Sequence, residues 1–343
     1  MRDRTESFRA YEYAAFILAA FAVMLLCVCV GSVRVRAADA LAVIWGSIWN
    51  LPLPEGVSRP IIMSVRLPRV LCVALSGASL SLCGAAMQGL LRNPLADGST
   101  MGVSAGASLG AVIALAFGVT IPGLPFAGAM TMAMLFAFLS LLAILSLAYR
   151  LDRSLSTNTI LLIGVVFSMF AHSIISLISA FAGERIKTIL FWTMGSLAGS
   201  TYANALALLC ALVVCGAAIL PSARELNAFA IGEDNARTIG VNVRRVKLAI
   251  LVSVSALIGV CVSVGGTIGF VGLVTPHITR MLVGPNHRRL LPASAFGGAV
   301  FLMLTDLLAR IIIRPLELPI GVVTSLIGSI AFIYIFAKTR PVR

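Results

Sequence analysis

Very few residues in this chain of 343 could carry chemistry. Asp306 and Arg310 lie four apart inside an apolar run, a spacing that sets both on one helix face where they can pair. His172 stands alone in another apolar run. Ionisable groups at membrane depth can relay protons. A carboxylate with an arginine one turn away is first a neutralised structural pair, and a relay is the secondary reading. No lysine follows a glycine, so the Gly-Lys-Ser/Thr with which a P-loop holds nucleotide phosphates is missing. No nucleophile, base and acid occur as a set. The seven cysteines are odd in number, lie in apolar runs and lack metal-ligand spacing with a histidine, so they read as small packing residues. The chain is not expected to be an enzyme. No catalytic residue, metal ligand or resident cofactor is expected in it.

The polar residues collect instead in one stretch, 221–246. Within it Gly232-Glu233-Asp234-Asn235-Ala236-Arg237-Thr238-Ile239-Gly240-Val241 has the make-up of a short polar helix. Glu233 and Arg237 are spaced i,i+4, and Gly240 offers a C-terminal stop. On physics alone this is a solvated loop helix. Its length among otherwise tight connections points to a docking site for a partner outside the membrane.

The elements that hold these residues follow from composition. With 59% hydrophobic and 11% charged residues, the chain lacks the charge to cover a soluble domain. A span takes about 20 apolar residues, which leaves room for about ten. The expected fold is all-α, one membrane domain over 1–343. Spans fall near 14–33, 68–91, 101–118, 126–149, 159–182, 203–220, 247–264, 267–283, 290–309 and 319–338. The stretch 247–283 could be one long helix, but Gly265-Gly266 offers a break. The first run, followed by Arg36-Ala37-Ala38-Asp39-Ala40, resembles a signal peptide. Its apolar stretch exceeds the signal core of about 7–15 residues, which favours an uncleaved helix. The net charge of +13 does not indicate nucleic acid, because the basic residues sit between apolar runs. With ten spans and the N-terminus inside, seventeen Lys and Arg fall on the cytoplasmic side and nine outside, which places both termini in the cytoplasm. At an offset of 182, Ala74, Leu75, Gly77, Ser81, Gly84, Leu91 and Pro94 meet identical residues, as an inverted repeat would give. Chance matching of Gly/Ala/Leu-rich helices explains them equally well. Gly102, Gly106 and Gly110 let helices approach closely, with pathway lining as the alternative.

Several stretches, in order, resemble the permease family of ABC importers for iron–siderophore complexes, haem and vitamin B12. They are Arg66-Leu-Pro-Arg69, Gly84-Ala-Ala-Met-Gln-Gly89, Arg92-Asn-Pro-Leu-Ala-Asp97, Gly102-Val-Ser-Ala-Gly106, Phe191-Trp-Thr-Met-Gly-Ser-Leu197 and Gly232-Glu-Asp-Asn-Ala236. They continue with Ile268-Gly-Phe-Val-Gly-Leu-Val-Thr-Pro-His277, His287-Arg-Arg-Leu-Leu-Pro292, Asp306-Leu-Leu-Ala-Arg310 and Glu317-Leu-Pro-Ile-Gly-Val-Val-Thr324. The resemblance covers Arg66 to about Lys338. It implies a ten-helix subunit of the bacterial cytoplasmic membrane that dimerises, as homodimer or heterodimer, around a central pathway. Two separate ATPase subunits that bind ATP and Mg would dock below, and an extracytoplasmic binding protein above. It further implies that the loop helix from Gly232 to Gly240 transmits motion from the ATPases. Asn93, Pro94 and Leu95 would lie near the cytoplasmic gate, and Arg66, Arg69 and Arg310 would meet glutamates of the binding protein. Two positions depart from the family pattern. Gly98 follows Asp97 where proline is frequent, which implies a looser gate loop. Ile330 stands where a proline is common, which puts a kink of the last helix in doubt. The carried substrate would be an iron chelate, with vitamin B12 as the alternative. A self-contained secondary carrier, the rival class, would need buried acidic relays that the sequence scarcely offers.

Overall fold

Among the described residues, apolar runs bounded by Gly, Pro and polar turns build a bundle of fourteen α-helices. The computed structural model describes residues 7–31, 35–49, 59–121, 127–153 and 156–339. Arg2, Arg4, Arg34, Arg340 and Arg343, which enter the charge count, lie outside the described residues. In chain order come α1 (Ala10–Cys29), α2 (Ala37–Trp49) and α3 (Leu67–Leu91), the last extended backwards by a π-helical segment, Ile61–Arg66. Then follow α4 (Val103–Phe117), α5 (Ala127–Leu151), α6 (Thr157–Phe181), α7 (Ile186–Thr193) and α8 (Tyr202–Ile219). The loop between spans folds into α9 (Ala223–Phe229) and α10 (Glu233–Thr238). The chain closes with α11 (Val243–Gly265), α12 (Val271–Val283), α13 (His287–Ile311) and α14 (Ile320–Thr339).

Each of the ten expected spans has its helix, but they are not equal. Among the described residues seven helices are long and apolar enough to cross a membrane: α1, α3 with its extension, α5, α6, α8, α11 and α13. The helix α4 has 15 residues and α12 has 13, against the roughly 20 a span requires. Both are packed inside the bundle and both follow irregular backbone: Gly98–Met101 before α4, and 266–270 before α12. Non-helical backbone at membrane depth is tolerated where protein surrounds it. The break between α11 and α12 falls where Gly265-Gly266 suggested. Gly266 has φ +68°, and a Cβ there would overlap the Trp192 carbonyl. The short amphipathic helix α2 was not expected. It sets Trp45 and Trp49 outward with ring centroids 5.8 Å apart, as interfacial aromatics do. The helix α14 runs unbroken past Ile330.

The helix α3 is the axis. In its most apolar window 78% of the residues are buried, against 22% in α6. It packs on α13, α12, α11 and α8. That approach is possible because glycines meet: a Cβ on Gly84 would overlap the backbone of Gly272, and one on Gly77 that of Gly298. Gly106 and Gly110 likewise admit Ser140 and Met132 of α5, which favours the packing reading of that stripe. The order long–short–long–long recurs, α3 to α6 and α11 to α14. Contacts cross between the halves: α3 meets α12 and α13, and α11 meets α4 and α5. Counted from Ile61, where the span of α3 begins, to Val243, this element repeat has an offset of 182, and at that offset Ala74, Leu75, Gly77 and Ser81 of α3 meet Ala256, Leu257, Gly259 and Ser263 of α11.

Candidate functional site

The loop 221–246 forms its polar helix, α10, from Gly232 (φ +120°) to Gly240 (φ +90°). The pairing differs from the expected i,i+4 pair. Glu233 turns inward to Lys247 of α11, with Nζ 2.7 and 2.8 Å from its two oxygens, and accepts from Thr157 of α6 at 3.3 Å. Arg237 meets Asp234 at 3.7 Å on the exposed side. Lys247 is 1% exposed, so its charge must be neutralised there, and Glu233 does so. Asn235 donates to the Ile231 carbonyl at 2.7 Å. Ala236 is fully buried against α9 and α11, whereas Ile231 and Ile239 are 66% and 65% exposed. The outward face of this polar loop is therefore apolar at two points, and Ala236 is part of its footing.

The loop after α3 lies beside it. Arg92 takes a left-handed conformation (φ 48°), and its guanidinium reaches within 3.7 Å of where a Cβ on Gly232 would stand. Asn93 closes an Asx turn, its side chain accepting from the Leu95 amide at 2.9 Å. Pro94 and Leu95 are exposed, Leu95 by 50%. Asp97 accepts from the Gly98 amide at 2.6 Å and stands against Gly272 at the start of α12. A Cβ on Gly98 would meet the side-chain end of Ile258 on α11, so the loop passes close to that helix here.

The three arginines expected at an exposed rim are buried at the opposite end of α3: Arg66 is 5%, Arg69 7% and Arg310 5% exposed. Arg69 donates to Asp306 at 2.8 and 3.1 Å and to Glu317 at 2.6 Å. Arg310 pairs with the other oxygen of Asp306 at 3.0 Å and donates to the carbonyls of Cys27 and Val30. Arg66 donates to the carbonyls of Val28 and Cys29 at 2.7 and 3.2 Å. Three cations thus face two carboxylates and the C-terminal end of α1, whose unsatisfied carbonyls carry partial negative charge. The Asp306–Arg310 pair exists as expected. The roles of Arg69 and Glu317 in it, and of α1 as acceptor, have no signal in spacing, because the Arg69 and Arg310 bonds bridge positions over 200 residues apart and those of Arg66 reach back 37 and 38.

A pocket of about 260 Å³ lies inside the bundle, bordered by Ser104, Ser108, Ser168, His172 and Thr267. His172 is exposed on α6, its Nδ1 2.8 Å from the Ser168 carbonyl. A larger cavity, about 430 Å³, opens between α7, α8 and the end of α11, lined by Lys187, Phe191, Trp192 and Asn204 among others. Among the described residues no group of three or more His, Cys, Asp or Glu could hold a metal.

Residues 18–338 match the model of the FecCD transport family. An uncharacterised ABC transporter permease, YvrB of Bacillus subtilis, is 41% identical over 96% of this chain and 95% of its own. The cobalamin import permease BtuC of Halobacterium salinarum is 38% identical over 89% and 80%. The hemin transport permease HmuU of Yersinia pestis is 35% identical over 94% and 95%. The bundle superposes on a solved chain described as an inward-facing conformation of a metal-chelate type ABC transporter, with TM-score 0.84 and 29% identity over 96% of this chain and all of that one.

Proposed function

The chain belongs to the FecCD transport family, and from that membership we propose that it carries an iron chelate, a siderophore complex or haem, inward across the bacterial cytoplasmic membrane with both termini inside. It is a multi-pass membrane protein and a permease subunit of an ABC importer of the metal-chelate, haem or vitamin B12 type. The iron reading is carried by one observation. A hemin permease and an iron(3+)-hydroxamate permease align over 94% and 96% of the chain, against 89% for the cobalamin permease. The cobalamin relative is slightly more identical, which keeps vitamin B12 as the second reading. Purified cognate binding protein should retain a ferric hydroxamate or haem and not cobalamin. Retention of cobalamin alone would overturn the iron reading.

Importers of this family work with ATPase and binding-protein partners and as permease dimers. For this chain we infer two separate ATPase subunits holding ATP and Mg, docked on Ile231, Asp234, Arg237 and Ile239 of the α10 loop. Apolar side chains ringed by charge suit such an interface. Glu233 would carry the movement inward, because it ties α10 to α6 and α11. The gate loop Asn93-Pro94-Leu95 would follow through Arg92 beside Gly232. The histidine and serines on the exposed side of α6 argue that a second permease subunit and a wet pathway cover that face, since lone polar groups do not face lipid.

A further inference from the structure

Arg280, near the end of α12, is a cation of the bundle that has no counter-charge among the described residues. It is half-buried, and its Nε is sealed from solvent without a hydrogen-bond partner. Its Nη2 donates to the Oε1 of Gln88 at 3.3 Å. Gln88 is 3% exposed on α3, and its amide nitrogen donates to the Leu273 carbonyl of α12 at 3.2 Å. That bond turns the Gln88 oxygen to the guanidinium and fixes its direction without cancelling its charge. Asp97 touches α12 at Gly272, about two turns away from Arg280. An unpaired charge held inside a membrane bundle is costly and marks a functional site. The stretch that leads to Arg280 runs down one side of α14. Thr267 lies against Gly321, Gly269 against Ser325, Phe270 against Gly328 and His277 against Phe332. Residues 266–269 border the pocket of about 260 Å³ that His172 also borders. Arg280 follows about 15 Å further along α12, towards the end of the bundle where His287 meets Asn227 of α9.

We propose that Arg280, aimed by Gln88, binds a carboxylate of the chelate as it leaves the bundle at the α9 end. The inference rests on the importer reading above and narrows its substrate: among iron chelates the site favours those with a carboxylate edge over neutral hydroxamates. A guanidinium suits a carboxylate because its planar fork of donors bonds both oxygens at once. Gln88 spares Arg280 the rotamer freedom it would otherwise lose on binding, since the side chain is already held. A neutral glutamine, and not an acid, in that place leaves the charge available to a ligand that must also let go.

The test is the thermal midpoint of the whole nucleotide-free transporter complex, in nanodiscs of neutral phosphatidylcholine, titrated with citrate and separately with a neutral ferric trihydroxamate. Citrate should raise the wild-type midpoint and the trihydroxamate should give no shift that depends on Arg280. Arg280→Gln should raise the citrate concentration needed for half the shift at least about tenfold, the share of a hydrogen bond to a charged group. Without ligand its midpoint should equal or exceed that of the wild type, because an unpaired charge has been removed. Arg280→Lys should restore part of the citrate response, as a charge without the fork. The same citrate response in wild type and Arg280→Gln would overturn the proposal. So would no response in the wild type, or a ligand-free midpoint that falls in Arg280→Gln, which would reveal a structural partner. A wild-type midpoint raised by phosphatidylglycerol in the discs, with the citrate response then gone, would hand the site to a lipid headgroup and overturn it as well. Any of these failures leaves the importer reading standing, since that is tested by the chelate on the binding protein.

Discussion

Asp306 is 1% exposed and serves two arginines at once, so it governs the buried cluster. Replacing it by asparagine leaves Arg69 with Glu317 and Arg310 with only the carbonyls of α1. Removing one partner of a buried ion pair costs about 3–5 kcal/mol. Asp306→Asn should therefore lower the monodisperse yield and thermal midpoint in detergent sharply. Arg310→Met added to it should restore part of the loss, because Arg69 keeps one carboxylate. Full yield with a shifted pH profile of uptake would instead make Asp306 a proton relay. The same geometry changes what Arg66 and Arg69 can test: with both buried, reversing them to glutamate would strike packing before any partner. Ala236 is a parallel case, since a charge there would break the footing of α10 rather than a contact with an ATPase.

At the scale of elements, the α10 loop sets two exposed isoleucines just outside the ends of its polar helix, and their burial in a partner is the economical reason for their exposure. Ile231→Asp with Ile239→Asp should leave insertion and yield intact and lower ATPase co-purification by an order of magnitude or more, at about 1–2 kcal/mol for each lost apolar contact. Unchanged co-purification would move the docking site elsewhere. The contact of α3 with α12 gives an opposite kind of prediction. Gly84→Val places a branched side chain against the Gly272 backbone, and overpacking of about 1–3 kcal/mol or more should appear as a lower unfolding temperature at unchanged membrane targeting. A wild-type melting curve would mean that α3 and α12 do not pack so closely. These elements were legible to different depths. The spans, the break at Gly265-Gly266 and the polar helix after Gly232 follow from local hydropathy and turn chemistry. The unequal span lengths, the inward turn of Glu233 to Lys247 and the burial of Arg66, Arg69 and Arg310 do not. Each depends on which distant helix lies alongside, and positive charge near a span end reads the same whether it faces a headgroup or the end of α1.

The whole molecule bears on the source of energy. A carrier driven by protons needs a buried group that can gain and lose a proton while facing each side in turn. Asp306 is clamped between two arginines, and Glu233 is clamped by Lys247 at the foot of the bundle. His172 is bonded to its own helix. What the bundle does offer is mechanical: a loop helix braced to α6 and α11, an adjacent gate loop, and two short helices that begin at irregular backbone. Work delivered at the α10 loop has a route to the interior without any titration. In proteoliposomes holding the full complex, with binding protein and ferric chelate outside and MgATP inside, uptake should proceed. It should persist when a protonophore collapses the pH gradient and the membrane potential. Replacing the ATP with a non-hydrolysable analogue should reduce it to the leak of empty vesicles. Glu233→Gln should lower uptake at least tenfold while ATP hydrolysis falls less, because the loosened tie between α10, α6 and α11 would waste the stroke. Uptake that survives the analogue but collapses with the protonophore would put the energy source inside this chain, and Asp306 would then be the first residue to re-examine.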